Sequence, residues 1–191
     1  MDDAYIDSLD TGDDVTVNNN TPVFTTEQLE RIARVNNYRK VVFENDSWSY
    51  TTNVTDMKAI NMIHNSNGIK EILTKYENNS FEFLTFPAGP VFKANGTMEI
   101  DVSDFAEDYN EKFFVYRYLD NKLTLINSSY DSEDEVLSFT TNTLGRFVIT
   151  DKAISDAVVV NQNNNSSSNS GNNSSNNGNK TPVNPSTGAS V

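Results

Sequence analysis

Apolar residues recur at every second position between residues 81 and 150, in short runs that are separated by turn-forming residues. Met98, Ile100 and Val102, for example, alternate with polar or acidic residues. A period of two places successive side chains on opposite faces of a strand. The pattern therefore predicts a sheet of several strands that buries one face. Further runs of this kind occupy residues 114–118, 123–125 and 137–139.

Turn signals between these runs predict how the strands connect. Asp120-Asn121 tolerates positive φ and lies between two alternating runs, which favours a tight two-residue hairpin. Asn95-Gly96 predicts a turn before the strand that follows it. The acidic residues 131–135 separate two later strands.

Two short helices are predicted beside the sheet. Thr25, with Gln28 three residues later, forms a capping box that marks the start of the first helix. The second helix is predicted over residues 69–75, after Gly68. The first helix has a stripe of apolar side chains at helical spacing that would lie on the sheet: Leu29, Ile32 and Ala33.

Composition divides the chain into four parts. Residues 1–20 are acidic and carry few apolar side chains, so they are predicted to be a disordered acidic leader. Residues 21–160 have the size and apolar content of a single β-sandwich domain. Residues 161–180 are mainly Asn, Ser and Gly, which predicts a flexible linker. Residues 181–191 form a short terminal segment.

The net charge of -13 makes some partners improbable. So acidic a surface repels a phosphate backbone, and nucleic-acid binding is therefore not expected. The same repulsion acts at an anionic membrane surface, and no apolar run approaches the ~20 residues that a spanning helix needs. Cys is absent, which removes disulfides, thiolate metal sites and cysteine nucleophiles.

Candidate catalytic and metal-binding residues are few. His64 is the single histidine and follows an apolar run, so a structural or exposed residue is expected rather than a catalytic one. One His without Cys leaves too few ligands for zinc, and no cofactor or metal is assigned. Acidic residues in the loops leave weak calcium binding open. The many Lys and Asn residues likewise leave open an isopeptide crosslink.

Aromatic side chains in the predicted strands admit two interpretations. Trp48 alternates with Ser along its strand, a pattern typical of a core anchor. If Trp48, Tyr116 or Tyr118 were instead exposed and coplanar, the domain would be a sugar-binding module. A glycoside hydrolase would need two carboxylates about 5–10 Å apart in a cleft.

The terminal segment contains Asn184, Pro185, Ser186, Thr187 and Gly188. This sequence resembles the LPxTG-like sorting signals of Gram-positive surface proteins, in the NPxTG form found among Clostridia. The resemblance implies that a sortase attacks the bond between Thr187 and Gly188 and transfers the threonyl carbonyl to an amine of cell-wall peptidoglycan. Pro185 favours the extended, accessible backbone that suits this reaction. Since a membrane span follows the motif in this family, we expect a sequence cropped at both ends, whose membrane contact is the missing C-terminal segment.

The folded body resembles a recurring domain of clostridial cell-surface proteins over residues 25–151. The resemblance implies a mainly β fold, an immunoglobulin-like antiparallel β-sandwich with one or two short helices and no catalytic residues. It rests on five short segments, residues 26–30, 47–50, 113–118, 139–141 and 145–149.

Together these features predict a non-catalytic extracellular module that a sortase attaches to the cell wall. It would be a monomer that binds an unknown protein or polysaccharide ligand, or a spacer that holds another domain away from the wall. The alternative is a carbohydrate-binding module, or a fragment of a secreted carbohydrate-active enzyme.

Overall fold

Twelve strands and four helices make up the part of the chain that the computed structural model describes, residues 1–106 and 112–160. The sequence predicts two of these helices, over residues 26–35 and 70–75, and does not predict the other two. In chain order the elements are α1 (Asp3–Asp7), β1 (Val15–Thr16), β2 (Val23–Phe24), α2 (Thr26–Val35), β3 (Val41–Asn45), β4 (Trp48–Thr52), β5 (Ile60–Asn61), α3 (Lys70–Lys75), β6 (Phe81–Thr85), β7 (Val91–Asp101), α4 (Ser103–Ala106), β8 (Phe114–Leu119), β9 (Lys122–Ile126), β10 (Ser128–Asp131), β11 (Val136–Thr143) and β12 (Arg146–Thr150).

The large sheet has the strand order β1-β3-β4-β7-β11-β10. Its neighbouring strands are antiparallel, except that β1 runs parallel to β3. Along β7, Met98 and Ile100 are buried while Glu99 and Asp101 are exposed. The predicted period of two is therefore confirmed for a strand inside this sheet.

The small sheet has the order β6-β12-β8-β9 and shares a hydrophobic core with the large one. Phe139 of β11 and Phe147 of β12 meet between the sheets, with ring centroids 4.9 Å apart. Strands β2 and β5 form a separate antiparallel ribbon. The predicted mainly β fold with an antiparallel sandwich is therefore confirmed.

The small sheet is buried on both faces, unlike the large one. Its outer face carries Phe83, Tyr116 and Val148, and Ile72 of α3 packs on them together with Ile154. The expectation of a single buried face is therefore wrong for this sheet, because α3 and the end of the folded chain cover what would otherwise be its solvent side.

Helix α2 begins as its capping signal predicts. The Thr25 side chain accepts a hydrogen bond from the Gln28 amide at 3.1 Å, and the Gln28 side chain accepts one from the Thr25 amide at 3.0 Å. These two bonds satisfy donors that the first turn of a helix leaves without partners. The predicted apolar stripe is buried in the core: Leu29, Ile32 and Ala33.

The turn signals have mixed outcomes. Asp120 and Asn121 have φ values of 50° and 58° and join β8 to β9, which confirms the predicted hairpin. Asn95 and Gly96 lie inside β7, so the turn predicted there is wrong. The glycine instead lets the strand lie against the ring of Tyr50, because a Cβ atom on Gly96 would lie 2.5 Å from Tyr50 Cζ.

Residues 1–20 belong to the folded body, and the predicted disordered leader is wrong. Helix α1 contacts α2, and β1 pairs with β3 at the edge of the large sheet. Composition misleads here because most of the few apolar side chains in the segment reach the core. Four of them are buried: Ile6, Leu9, Val15 and Val17.

The folded unit extends to Val160. Near its end, Val158 pairs with Thr124 of β9 in a parallel bridge. The predicted linker and terminal segment, residues 161–191, lie outside the described residues. Among the helices of the described part, none has the length and apolar character that crossing a membrane requires.

Candidate functional site

The structure brings two of the residues that the sequence singles out, Trp48 and His64, into contact. The sorting motif lies outside the described residues: Asn184, Pro185, Ser186, Thr187 and Gly188. His64 is half-buried, with Nδ1 3.1 Å from the Met62 carbonyl oxygen, and its ring meets Trp48 edge-on at 5.1 Å between centroids. His64 therefore packs as a structural residue, as predicted.

Two of the three aromatic candidates for sugar binding are core residues. Trp48 is 3% exposed and packs edge-on against Phe86, with ring centroids 5.1 Å apart. Tyr116 is also buried, and its Oη accepts a hydrogen bond from the Ile154 amide at 2.8 Å. Of the three, Tyr118 keeps part of its ring in solvent.

The acidic loops use their carboxylates to cap turns. Asp101 accepts a hydrogen bond from the Ser103 amide at 2.8 Å, and hydrogen bonding to Ser103 holds the pKa of Asp101 below its usual value. Asp131 accepts from the Glu133 amide at 2.9 Å in the β10–β11 turn. Within residues 1–106 and 112–160, no group of three or more Asp, Glu or His side chains is placed to hold a metal ion.

An isopeptide crosslink finds no support in the described residues. Such a bond needs a lysine buried beside an acid, where desolvation can lower the pKa of its amine. Every lysine of residues 1–106 and 112–160 is exposed.

A groove of about 420 Å³ lies beside the outer face of the small sheet. It is bounded by α3, by the β8–β9 hairpin and by residues 152–158, a segment that we call the strap. Tyr76, directly after α3, and Tyr118 of β8 line it together with the apolar side chains of Ile72 and Leu123. Its volume lies in the range of about 300–1,000 Å³ that is typical of small-molecule sites.

Local features of the chain hold each side of this groove in place. Ile72 is 2% exposed and anchors α3 on the small sheet. The left-handed turn at Asp120 and Asn121 sets the hairpin. The strap joins the sheet through Val158, whose amide donates to the Leu123 carbonyl at 2.8 Å. The groove is therefore built before any ligand arrives.

Lys75, Tyr76 and Asp156 form a hydrogen-bonded triad at the groove. Lys75 Nζ donates to Asp156 Oδ2 at 2.6 Å, and Tyr76 Oη donates to Asp156 Oδ1 at 2.7 Å. The bond from Lys75, followed by that from Tyr76, lowers the pKa of Asp156, and the bond to Asp156 raises the pKa of Lys75. Burial, and then the bond to Asp156, raise the pKa of Tyr76. Lys75 and Asp156 are therefore both charged at neutral pH.

Acid and base are both expected to loosen the strap. A lowered carboxyl pKa stabilises the folded state above the pKa of the unfolded chain, and this contribution is lost as the pH falls through the folded value. A raised lysine pKa stabilises the folded state at pH values below the pKa of the unfolded chain. This contribution is lost as the pH rises through the pKa of the folded state. We expect the protection factors of the Ile154 and Ala157 amides to fall in both directions, as measured by hydrogen exchange.

The Asp156→Asn variant is expected to show the same loss of protection already at neutral pH. Glu77→Gln is the matched control, because Glu77 is an exposed acid next to Tyr76 but lies outside the triad. Unchanged protection of the Ile154 and Ala157 amides in Asp156→Asn would show that the triad does not hold the strap in place.

The groove contains one acid, Asp156, that is suited to accept hydrogen bonds rather than to donate a proton. Its two carboxylates are Glu71 and Asp156. A general acid must carry a proton at the working pH, whereas the lowered pKa of Asp156 keeps this group ionised at neutral pH. Asp156 therefore acts as a hydrogen-bond acceptor.

Lys75, Tyr76 and Asp156 are not among the site residues that the sequence predicts. Lys75 is the last residue of α3, Tyr76 follows it, and Asp156 lies in the strap. These segments are far apart in the chain, and only the tertiary fold brings them together. Tyr76 alone could have indicated a site from the sequence, because it is a tyrosine directly after a predicted helix and before the polar residues 77–80.

A second groove, of about 310 Å³, lies between residues 57–61 and the turn that joins β6 to β7. Lys58, Lys93 and the exposed Val91 are among the residues that line it. No aromatic or acidic side chain is among its lining residues, so it offers a ligand less variety of contact than the groove beside α3.

No protein-family model and no curated protein matches this chain.

Proposed function

We propose that this chain is a non-catalytic extracellular module that a sortase attaches to the cell wall through Thr187. Its folded body would bind a protein or polysaccharide ligand in adhesion, or hold another domain away from the wall. The observation that carries the proposal is the end of the folded unit at Val160, well before the motif that begins at Asn184. A sortase must reach its substrate in extended form, and the sequence has 23 residues between Val160 and Asn184 that could serve as a spacer.

The intervening composition supports a tether. Residues 161–179 are Asn, Gln, Ser and Gly. A flexible chain of about 27 residues, the separation between Val160 and Thr187, would have a root-mean-square length of roughly 30 Å. A tether of this length would let a wall-bound enzyme reach Thr187.

The groove beside α3 favours a ligand-binding role over that of a pure spacer. A spacer would bury its large aromatic side chains in the core, as this chain does with Trp48 and Tyr116. Tyr76 and Tyr118 instead lie half-exposed in one groove. Partly exposed aromatic rings that share a concave site are typical of binding surfaces.

The sorting reaction can be tested with purified protein. The sortase thiolate attacks the Thr187 carbonyl, the amine of Gly188 leaves with residues 188–191, and an added amine then displaces the enzyme from the thioester. We expect a sortase that accepts NPxTG signals, with hydroxylamine as the amine, to release residues 188–191 and leave a hydroxamate on Thr187. Mass spectrometry of the product measures both changes.

Thr187→Ala is the matched control, and it is expected to stay intact because it alters the residue that is acylated. Loss of residues 188–191 from Thr187→Ala at the same rate would show adventitious proteolysis. An intact native chain, under conditions where a peptide with an established NPxTG signal is cleaved, would rule out sortase attachment through this motif.

A further inference from the structure

The groove beside α3 is electrically balanced on an acidic chain. Four charged side chains line it, two acids and two bases: Glu71, Asp156, Lys75 and Lys122. Their formal charges cancel, whereas the whole chain carries a net charge of -13. An anion would be repelled by the surrounding protein, and a cation would find stronger attraction at the acidic loops than here. The balance therefore favours a neutral ligand.

Two tyrosine rings give the groove apolar surface. Tyr76 and Tyr118 are half-buried, so that part of each ring is open to solvent. Leu123 and Ile72, both nearly buried, add apolar surface beside them. A sugar ring presents C–H groups on its faces and hydroxyls around its edge, so it can pack on an aromatic ring while its hydroxyls bond elsewhere.

Hydrogen-bonding groups beside the rings are already held in place. Asp156 accepts from Lys75 and Tyr76 at 2.6 and 2.7 Å, and a carboxylate has roughly four acceptor sites, so it can accept from further hydroxyl groups. Asn121 accepts from Tyr118 Oη at 3.2 Å, while its amide nitrogen carries two donors. Because these groups are already ordered, they lose less conformational entropy when a ligand binds.

We propose that this groove binds a neutral oligosaccharide, with a sugar ring packed on Tyr118 and hydroxyl groups bonded to Asp156 and Asn121. The inference rests on the proposed function, since it names the ligand class and the site of a module proposed to bind a ligand. It assigns Tyr118 as the packing residue of the site and the Lys75–Asp156 pair as its fixed polar edge.

The test is an NMR titration of the isotope-labelled full chain with defined oligosaccharides. The neutral probes are cellotetraose, xylotetraose, mannotetraose and N-acetylchitotetraose, and the charged ones are tetragalacturonate and chitosan tetramer. We expect at least one neutral probe to bind with a millimolar or lower dissociation constant. The amides that shift should be those of residues 118–123 and 154–158.

Variants separate the ring from the polar edge. Tyr118→Ala is expected to weaken binding by about tenfold or more, because it removes the packing surface. Asp156→Asn is expected to weaken it as well, by removing the carboxylate acceptor and by loosening the strap, and it keeps Tyr118 should Tyr118→Ala fail to fold. Tyr38→Ala is the matched control, since Tyr38 is a 56% exposed tyrosine outside the groove, and its affinity should equal that of the native chain.

Any of these results would overturn the inference: no shift with any neutral probe, binding of the charged probes alone, or full affinity in both Tyr118→Ala and Asp156→Asn. Chemical-shift changes confined to other residues would show that the ligand binds elsewhere, which would count equally against the groove. Because the titration uses unattached protein, these results are independent of the sorting reaction. Failure of the sortase assay would in turn leave oligosaccharide binding standing.

Discussion

Gly96→Ala is expected to destabilise the fold by about 3 kcal/mol or more, the upper end of the range for overpacked cores. A Cβ atom on Gly96 would lie 2.5 Å from Tyr50 Cζ and 2.7 Å from the Thr51 carbonyl oxygen. The Thr51 oxygen is backbone in a neighbouring strand, so β4 and β7 would have to separate. Urea unfolding, followed by the fluorescence of Trp48, the single tryptophan, measures the change.

Tyr50 cannot yield to relieve this clash. Its ring is fully buried, and its Oη donates to the Thr141 carbonyl oxygen at 2.6 Å, which ties β4 to β11 across β7. Burial raises the pKa of Tyr50 to about 12, in keeping with a phenol closed off from water. Because the close contacts are to ring carbons, adding Tyr50→Phe to Gly96→Ala is not expected to restore stability.

Asn95→Ala is the control for Gly96→Ala, since Asn95 is exposed in the same strand. Its unfolding midpoint is expected to stay close to that of the native chain. Equal midpoints for Gly96→Ala and the native chain would show that β7 tolerates a side chain at this position, against the packing described here.

Elements that depend on neighbouring residues alone could be predicted from the sequence. The capping box of Thr25 and Gln28 and the hairpin turn at Asp120 and Asn121 are both as expected. Each depends on bonds or dihedral angles within about four residues, so tertiary contacts had little opportunity to override the signal. The alternation along β7 could be predicted for a different reason, because its two faces meet two different environments.

Tertiary packing determines the features of the fold that local sequence signals do not predict. Asn95-Gly96 is a strong turn signal, yet the glycine serves the contact with Tyr50, a residue far away in the chain. The second buried face of the small sheet could not be predicted either, because Phe114, Tyr116 and Tyr118 give the same period of two whether or not a helix covers them.

The candidate groove illustrates the same limit. The alternation of its strand makes Tyr118 a candidate, but its neighbours in the groove, Tyr76 and Asp156, lie outside any periodic segment. A ligand site assembled from a helix end, a hairpin and a trailing strap is a property of the fold. The sequence around each of these residues therefore gives little indication that they share a site.

Deletion of residues 2–17 is expected to leave a chain that does not fold. The segment buries Ile6, Leu9, Val15 and Val17, and full burial of such a side chain contributes about 1.5–3 kcal/mol. Their sum is comparable to the whole stability of a typical domain, about 5–15 kcal/mol. The deletion also removes β1, whose Val15 pairs with Phe43, and so uncovers the edge of the large sheet. Circular dichroism and urea titration report the outcome.

Single substitutions locate the effect within the segment. Ile6→Ala is expected to cost about 2–5 kcal/mol, because it leaves a cavity between α1 and the core. Asp14→Asn, an exposed acid in the same segment, is expected to leave the unfolding midpoint unchanged. A truncated chain that unfolds at the native urea concentration would restore the interpretation that composition suggests, an acidic leader outside the domain. The burial of its apolar residues instead makes this segment part of the sandwich, and net charge alone could not reveal that.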